Sequence, residues 1–209
     1  MKNVFFKPWV GREYGLDGSV FKLKILVLGD SHYTDETEIN NLVENLEQSC
    51  DFTTGVMNDY LNPELGGKWK STFTKFMNSL VLNSIHSERS RCDLWNSVAF
   101  YNYLQIPAGT TSRLTQHFNY SKEKDKNALL EVIEELTPDI IISWGNKVWD
   151  AIPEDFGYGQ YVPSEEFSDF YYKYPYKNKE IKLLGISHPS TSYKSSYWAD
   201  VFSKASINN

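Results

Sequence analysis

The sequence predicts an α/β fold: a three-layer α/β/α sandwich with a short, mainly parallel central sheet. Short apolar runs rich in Ile, Leu and Val alternate along the chain with stretches of helical periodicity. That alternation is typical of parallel strands that are connected by helices and covered on both faces. No repeat or linker-like segment divides the 209 residues, so a single domain over residues 1–209 is the economical interpretation.

Four short apolar segments are predicted to be strands, because each is bounded by glycine, proline or polar residues. They cover residues 22–29, 93–100, 139–144 and 181–187. The first, KLKILVLG, is predicted to be a buried strand closed by glycine, and the third, DIIISW, is closed by Gly145-Asn146.

Helices are predicted where apolar residues recur every three to four positions. These segments are 35–48, 71–83, 122–136, a short piece up to about 152, and 195–204. Ser71 and Ser121 are candidate N-caps, and Thr137-Pro138 is expected to end the third helix. Segments rich in Gly, Pro, Asn or Tyr are predicted to be irregular: 52–68, 104–120 and 153–176.

Composition limits the classes of function. The net charge of −6 argues against a surface coated uniformly in basic residues, although it allows a local positive groove. Cys50 and Cys92 cannot supply the four thiolates of a structural zinc or iron–sulfur site, and we expect them to be reduced thiols. No segment resembles a signal peptide or the roughly 20-residue apolar run of a membrane helix. We therefore expect a cytoplasmic protein without membrane contact.

A polar cluster follows the first predicted strand. Gly29 allows the chain to turn, and Asp30, Ser31, His32 and Tyr33 come directly after it. Ligands of open α/β sheets bind at the carboxyl ends of the strands. Asp30 is therefore a candidate general base or charge stabiliser, and Tyr33 a candidate stacking ring. The alternative is a turn in which Asp30 bonds only its own backbone.

Three other segments offer polar groups near predicted strands. Asn96 lies within an apolar run. It is a candidate to hydrogen-bond the edge of a base, or else a structural residue that bonds a neighbouring loop. Asn146 follows Trp144-Gly145 at a helix start, which is either an anion site or part of ordinary Trp packing. His188-Pro189-Ser190 follows the last strand and places an imidazole and a hydroxyl at the expected edge.

Taken in order, these segments resemble the uracil-DNA glycosylase superfamily. The resemblance rests on GDSHY (29–33), LWNSVAF (94–100), IIISWGNKVW (140–149) and SHPSTSY (187–193). In that family the first strand ends in a glycine-led loop carrying an acid or amide. A later strand carries a base-reading Asn, a third ends in a Trp-Gly-like turn, and the last ends in His-Pro-Ser. The resemblance therefore implies the fold of that family.

The resemblance also implies base flipping followed by hydrolysis of an N-glycosidic bond in DNA, by a monomer that needs no metal or other cofactor. Asp30 would stabilise positive charge on the sugar, and His188 would bond the departing base. The remaining implied roles are base contact for Gly29, Ser31, Tyr33 and Asn96, and DNA contact for Asn146, Ser190 and Tyr193, the last as a wedge.

The chain departs from the family pattern at two places. The acid follows glycine directly, as in branches that also carry a four-cysteine cluster, which two cysteines cannot build. Thr191-Ser192-Tyr193 replaces the usual proline and leucine after His-Pro-Ser. The implied substrate is therefore uracil or another altered pyrimidine, with a hypermodified base in foreign DNA among the options.

Two other functions fit the sequence. In an SGNH-type ester hydrolase, Ser31 would be the nucleophile and His188 its base, with Met57-Asn58-Asp59 as the Asn block. That family has an acid three residues before the histidine, where this chain has Gly185. The third option is a module that binds a nucleotide or modified base without cutting it, which the acidic balance and the aromatic segment 167–176 favour.

Overall fold

The computed structural model describes residues 1–45, 48–81, 88–111, 123–153, 160–161 and 171–207. The strands within these ranges are β1 (Trp9–Val10), β2 (Ile25–Gly29), β3 (Val98–Asn102), β4 (Ile140–Trp144), β5 (Gln160–Tyr161), β6 (Tyr171–Tyr176) and β7 (Lys179–Ile186). The helices are α1 (Glu36–Glu44), α2 (Phe52–Leu61), α3 (Lys70–Leu80), α4 (Glu88–Trp95), α5 (Glu123–Leu136), α6 (Asn146–Ala151) and α7 (Ser195–Lys204).

One sheet contains all of these strands, in the order β1-β3-β2-β4-β7-β6-β5. The four neighbouring strands β3, β2, β4 and β7 run parallel. The outer strands pair antiparallel, β1 with β3 on one side and β6 with β7 and β5 on the other. The α/β prediction is confirmed, but the sheet is mixed rather than mainly parallel.

Helices pack on both faces of the sheet. On one face, side chains of α2, α3, α4 and α7 cover Val27, Phe100, Ile142 and Ile186. On the other face, side chains of α5 and α6 cover the alternate residues of the same strands. β2, β3 and β4 are buried at every position. Such fully buried strands give the continuous apolar runs seen in the sequence.

The strand predicted over 93–100 is displaced. Residues 93–95 belong to α4, and β3 begins only at Val98 and continues to Asn102. The helix closes with hydrogen bonds from the Asn96 N–H to the Cys92 carbonyl (2.9 Å) and from the Ser97 N–H to the Leu94 carbonyl (3.1 Å). A short apolar run fits a helix end and a strand equally well, so periodicity could not separate them.

Other differences arise in segments predicted to be irregular. Residues 52–61 form α2, which buries Met57 and Tyr60 although glycine and asparagine interrupt the pattern. The Tyr-rich segment supplies β6, an antiparallel hairpin partner of β7. Ser71 lies inside α3, which begins at Lys70, so it is not the N-cap. The predicted cap Ser121 lies outside the described residues.

Candidate functional site

Four strand ends meet at one edge of the sheet. β3 ends in Asn102, β2 leads into Asp30, β4 leads into Gly145, and β7 leads into His188. Because these strands are adjacent and parallel, their carboxyl ends lie side by side. Neighbouring strands are about 4.8 Å apart, so β2 and β7, with β4 between them, are separated by roughly 10 Å. Asn102 at the end of β3 and His188 after β7 are three strands apart, roughly 14 Å, so this end of the sheet is suited to a ligand about the size of a nucleotide.

Backbone hydrogen bonds hold the loop after β2 against the loop after β3. The Tyr103 and Leu104 N–H groups donate to the carbonyls of Gly29 and Asp30, both at 3.0 Å. Farther along, the Ala108 N–H donates to the His32 carbonyl at 2.8 Å. Asp30 is half-buried at this fixed position. Hydrogen bonds therefore hold the backbone of Asp30 in place beside the end of β4.

Ser31 and Tyr33 lie in the same loop and are half-buried. The Ser31 hydroxyl oxygen is buried and makes no hydrogen bond to any described residue. A buried hydroxyl without a partner costs about 1–3 kcal/mol. Both residues are thus close to the edge at which the sequence predicted a ligand.

The tautomer of His188 follows from its hydrogen bonds. The Ser190 N–H donates to Nδ1 at 3.2 Å, and the Ser190 hydroxyl lies 2.8 Å from the same atom. A backbone N–H can only donate, so Nδ1 must accept, and the single proton of the neutral ring is on Nε2. His188 therefore carries its hydrogen-bond donor on the side away from Ser190.

Gly145 allows His188 to approach the end of β4. Its φ of 87° lies in the left-handed region that favours glycine. A Cβ at this position would lie 3.3 Å from the Cβ of His188. The indole of Trp144 meets the imidazole edge to face at a centroid distance of 5.8 Å. The glycine and the tryptophan together fix where the ring stands.

Asn102 is the residue that the sequence reasoning missed. It ends β3 directly opposite Gly29 and is only 5% exposed. A Cβ on Gly29 would overlap the Asn102 Oδ1, so the amide occupies space that only glycine leaves open. The signal was present in the sequence, because VAFY followed by Asn repeats the pattern of an apolar run that ends in a polar residue.

Asn96 lies at the opposite end of the sheet, beside the amino ends of the parallel strands. Its Nδ2 donates to the Cys92 carbonyl at 2.8 Å, and its Oδ1 accepts from the Arg12 N–H at 3.5 Å. These bonds tie the end of α4 to the N-terminal segment. The expectation that Asn96 joins Asp30 and His188 is therefore wrong. Asn96 directly follows α4 and lies two residues before β3 begins, so the amide at the carboxyl end of β3 is that of Asn102.

The three residues predicted to contact DNA differ in their exposure. Tyr193 is 8% exposed, stacks on Trp198 and lies 2.6 Å from the Ser79 hydroxyl, so it is a core residue and not a wedge. Asn146 is exposed at the first position of α6. Ser190 is half-buried and engages His188. Asn146 and Ser190 thus remain candidates at the edge.

His32 is buried and uncharged. It is 3% exposed, and the rings of Phe6 and Phe52 pack against it at centroid distances of 4.7 and 4.8 Å. Burial lowers the pKa of its imidazole from 6.5 to about 3, because the charged form loses its hydration. His32 was predicted only as part of the loop, and the structure gives it contacts to Thr53 and Asn102.

This buried imidazole makes stability depend on pH. Between pH 6.5 and about 3 the unfolded chain binds a proton at His32 and the folded chain does not, so acidification favours unfolding. Each pH unit below 6.5 is expected to cost up to about 1.4 kcal/mol, or about 2 kcal/mol at pH 5. Urea titrations at pH 7 and pH 5 measure this loss, and the His32→Gln variant should lose about 2 kcal/mol less. Equal losses in both proteins would contradict the assignment.

No family model matches the chain, and no curated protein matches it. None of the described helices has the length and apolar character needed to cross a membrane. Function must therefore be argued from the chemistry of the sheet edge.

Proposed function

We propose that the chain is a DNA glycosylase of the uracil-DNA glycosylase type, which flips uracil or another altered pyrimidine and hydrolyses its N-glycosidic bond. The observation that carries the proposal is that β2, β3 and β7 bring Asp30, Asn102 and His188 to the same end of the sheet, with the Ser190 N–H donating to Nδ1 of His188. The helices on both faces of the sheet support a three-layer fold of that type.

Each of the three groups has a defined role in the proposed reaction. A water oxygen bonds to the sugar C1′ as the bond from C1′ to the base nitrogen breaks, and the bonding electrons leave with the base. Asp30 stabilises the positive charge that develops on the sugar, and the proton released by the water passes to Asp30 or to solvent. His188 donates its Nε2–H to the base oxygen on which negative charge grows. Asn102 takes the base-reading role expected of Asn96.

Contacts to DNA surround this centre. Tyr33 is placed in the loop beside Asp30, where its ring stacks on an extruded base. Asn146 and Ser190 lie at the same edge, together with the exposed side chains of Lys147 and Lys194. Polar and cationic groups of this kind hold phosphates and set the position of the duplex. They supply local positive charge on a chain whose net charge is −6.

The ester hydrolase has less support. Ser31 follows β2 and His188 follows β7, so β4 separates a nucleophile from a base that must touch it. The Nδ1 of His188 accepts from Ser190, whereas a hydrolase needs a carboxylate at that atom. Asn58 is exposed within α2 and does not lie in an active-site loop.

The test is base release from oligonucleotides that contain uracil or bulky altered pyrimidines, measured as alkali-sensitive abasic sites. Asn102→Ala is expected to lower kcat/KM by about 10- to 100-fold, because one buried hydrogen bond to the base is lost. Asn96→Ala is the matched control, since it removes an amide at the opposite edge and should leave kcat/KM within about twofold of wild type.

Two results would overturn the proposal. One is tight binding of the modified oligonucleotides by the wild-type protein with no abasic product from any of them, which favours the binding module. The other is an equal loss of activity in Asn96→Ala and Asn102→Ala at matched folded fractions, which removes Asn102 from the site.

A further inference from the structure

The loop between β7 and α7 carries His188 near its start and Tyr193 near its end. Its backbone folds back on itself, because the Thr191 N–H and hydroxyl both donate to the His188 carbonyl, at 3.0 and 2.8 Å. The Tyr193 N–H donates in turn to the Thr191 carbonyl at 2.8 Å. Two steps of hydrogen bonding therefore connect the backbone of Tyr193 to that of His188, so a movement of one residue displaces the other.

The Tyr193 side chain has two partners in the core. Its ring is nearly parallel to that of Trp198, at an interplanar angle of 12° and a centroid distance of 6.1 Å. Its hydroxyl lies 2.6 Å from that of Ser79, and the Ser79 hydroxyl donates to the Phe76 carbonyl at 2.6 Å. A serine hydroxyl has one proton, so the Ser79 oxygen accepts from Tyr193. Burial raises the pKa of the Tyr193 hydroxyl above its usual range, so it retains the proton that it donates.

Helix α3 is a fixed base for this bond. Ser79 is fully buried near the end of α3, as are Phe76 and Leu80 of the same helix. The Ser195 hydroxyl, on the first residue of α7, donates to the Lys75 carbonyl at 2.9 Å. The end of the loop and the start of α7 are therefore bonded to α3 at two points, which are about one helical turn apart.

His188 packs against the end of β4, where Trp144 and Gly145 contact it. Neither of these two contacts is a hydrogen bond, so they limit how closely the ring approaches β4 without preventing the loop from moving away. A displacement of about 1 Å can cost a catalytic group about 100-fold in rate. The Nε2–H of His188 therefore depends on an anchor that keeps the loop in place.

We infer that Tyr193, through its bond to Ser79, is a positioning residue that holds the loop, and with it the His188 ring, at the end of β4. The residue that was expected to contact DNA thus acts from the core. The inference depends on the proposed function for its effect on catalysis, whereas its effect on the placement of His188 is a property of the folded chain.

The placement of His188 is tested without substrate. Tyr193→Phe removes the hydroxyl and keeps the ring, so the imidazole ¹H and ¹³C signals of His188 should shift as the imidazole moves relative to the Trp144 indole. His188→Gln assigns those signals. Tyr60→Phe is the matched control, since it removes another buried hydroxyl of the same hydrophobic cluster, 3.1 Å from that of Thr74, and should leave the signals unchanged. Unchanged His188 signals in folded Tyr193→Phe overturn the inference.

The effect on catalysis is tested at matched folded fractions. Tyr193→Phe should lower kcat for base release by about 10-fold and leave KM within about twofold, because Nε2 of His188 acts on the departing base and not on the bound substrate. Ser79→Ala removes the same bond from the side of α3 and should give a similar loss, whereas Tyr60→Phe should not change kcat.

A double-mutant cycle separates positioning from a general structural role. In the His188→Ala background, Tyr193→Phe should have no further effect on kcat, since the group that Tyr193 positions is absent. Equal losses in the two backgrounds overturn the inference, and a Tyr193→Phe protein with the kcat of wild type overturns it as well.

The inference and the proposed function fail in different ways. If the wild-type protein releases no base, the proposed function fails, and the spectra alone decide whether Tyr193 positions His188. If base is released but Tyr193→Phe causes equal losses in the two backgrounds, the positioning role fails and the proposed function survives.

Discussion

Replacement of His188 by alanine is expected to lower kcat/KM for base release by about 100- to 1,000-fold, the cost of removing one preorganised donor to a developing oxyanion. The Nδ1 of His188 already accepts from the Ser190 N–H, so the orientation of the ring is set before the substrate arrives. Since no reorganisation of the ring is needed during the reaction, the full strength of the bond acts on the transition state.

The loss of kcat/KM should depend on the Nε2–H donor of His188 and not on the packing of its ring. His188→Gln retains an N–H donor and should recover part of the activity. Ser190→Ala keeps the backbone N–H on Nδ1, so it should cost no more than about fivefold. The free energy of unfolding of His188→Ala should fall by only about 1 kcal/mol, because the ring is half-buried. Single-turnover rates and urea titrations measure the two quantities separately.

A fully active His188→Ala protein would remove the imidazole from the chemistry. A Ser190→Ala variant as inactive as His188→Ala would also remove the imidazole from the chemistry, because the loss of activity would then result from a changed loop conformation. Asp30→Asn supplies the complementary measurement, because it removes the charge that opposes the sugar cation without changing the shape of the side chain.

The sequence predicted the parallel strands and the residues that follow most of them, because both depend on local patterns. β2 is apolar throughout, β4 is apolar except for Ser143, and β7 ends in the buried apolar run 183–186, so a polar residue after each strand lies at the same end of the sheet. Asp30, Gly145 and His188 were therefore predicted at the correct place. The same reasoning placed Asn96 wrongly, because β3 begins five residues later than predicted and Asn96 therefore precedes the strand, at the amino ends of the parallel strands.

Features that depend on distant partners could not be predicted from local patterns. Tyr193 follows His-Pro-Ser in sequence, but Ser79 and Trp198 draw its ring into the core. Strand β6 is half-exposed and rich in tyrosine, so its sequence resembles a loop. His32 reads as one more polar residue of the strand-end cluster, and only the packing of Phe6 and Phe52 shows that it is buried.

Gln105 is another residue whose role only the structure reveals. Among the proposed variants, its replacement should cause the largest loss in the free energy of unfolding. It is fully buried, and its Oε1 accepts from the Phe5 and Phe6 N–H groups at 2.8 and 3.0 Å. Its Nε2 donates to the Asn102 carbonyl at 3.0 Å. One side chain thus joins the N-terminal segment to the strand that ends in the site.

Gln105→Met keeps the volume of the side chain but removes all of these bonds. Two backbone N–H groups are left buried without acceptors, at about 1–3 kcal/mol each, so the free energy of unfolding should fall by about 3–5 kcal/mol. Because methionine fills the space, little of this loss comes from a cavity. Urea titration at pH 7 measures it as a lower midpoint at constant slope.

Asn3→Ala is the matched control, since it removes a side-chain hydrogen bond of the same N-terminal segment and keeps the backbone one. Asn3 donates to the Glu131 carboxylate from its backbone and side chain, at 3.0 and 2.7 Å, in a partly exposed position. Water can replace a partner there, so the loss should be about 1 kcal/mol or less. If Asn3→Ala is as destabilised as Gln105→Met, burial of the Phe5 and Phe6 N–H groups is not what makes Gln105 important. If only Gln105→Met is destabilised, its remaining folded fraction should also release base more slowly, because the carbonyl of Asn102 has lost the donor that holds it.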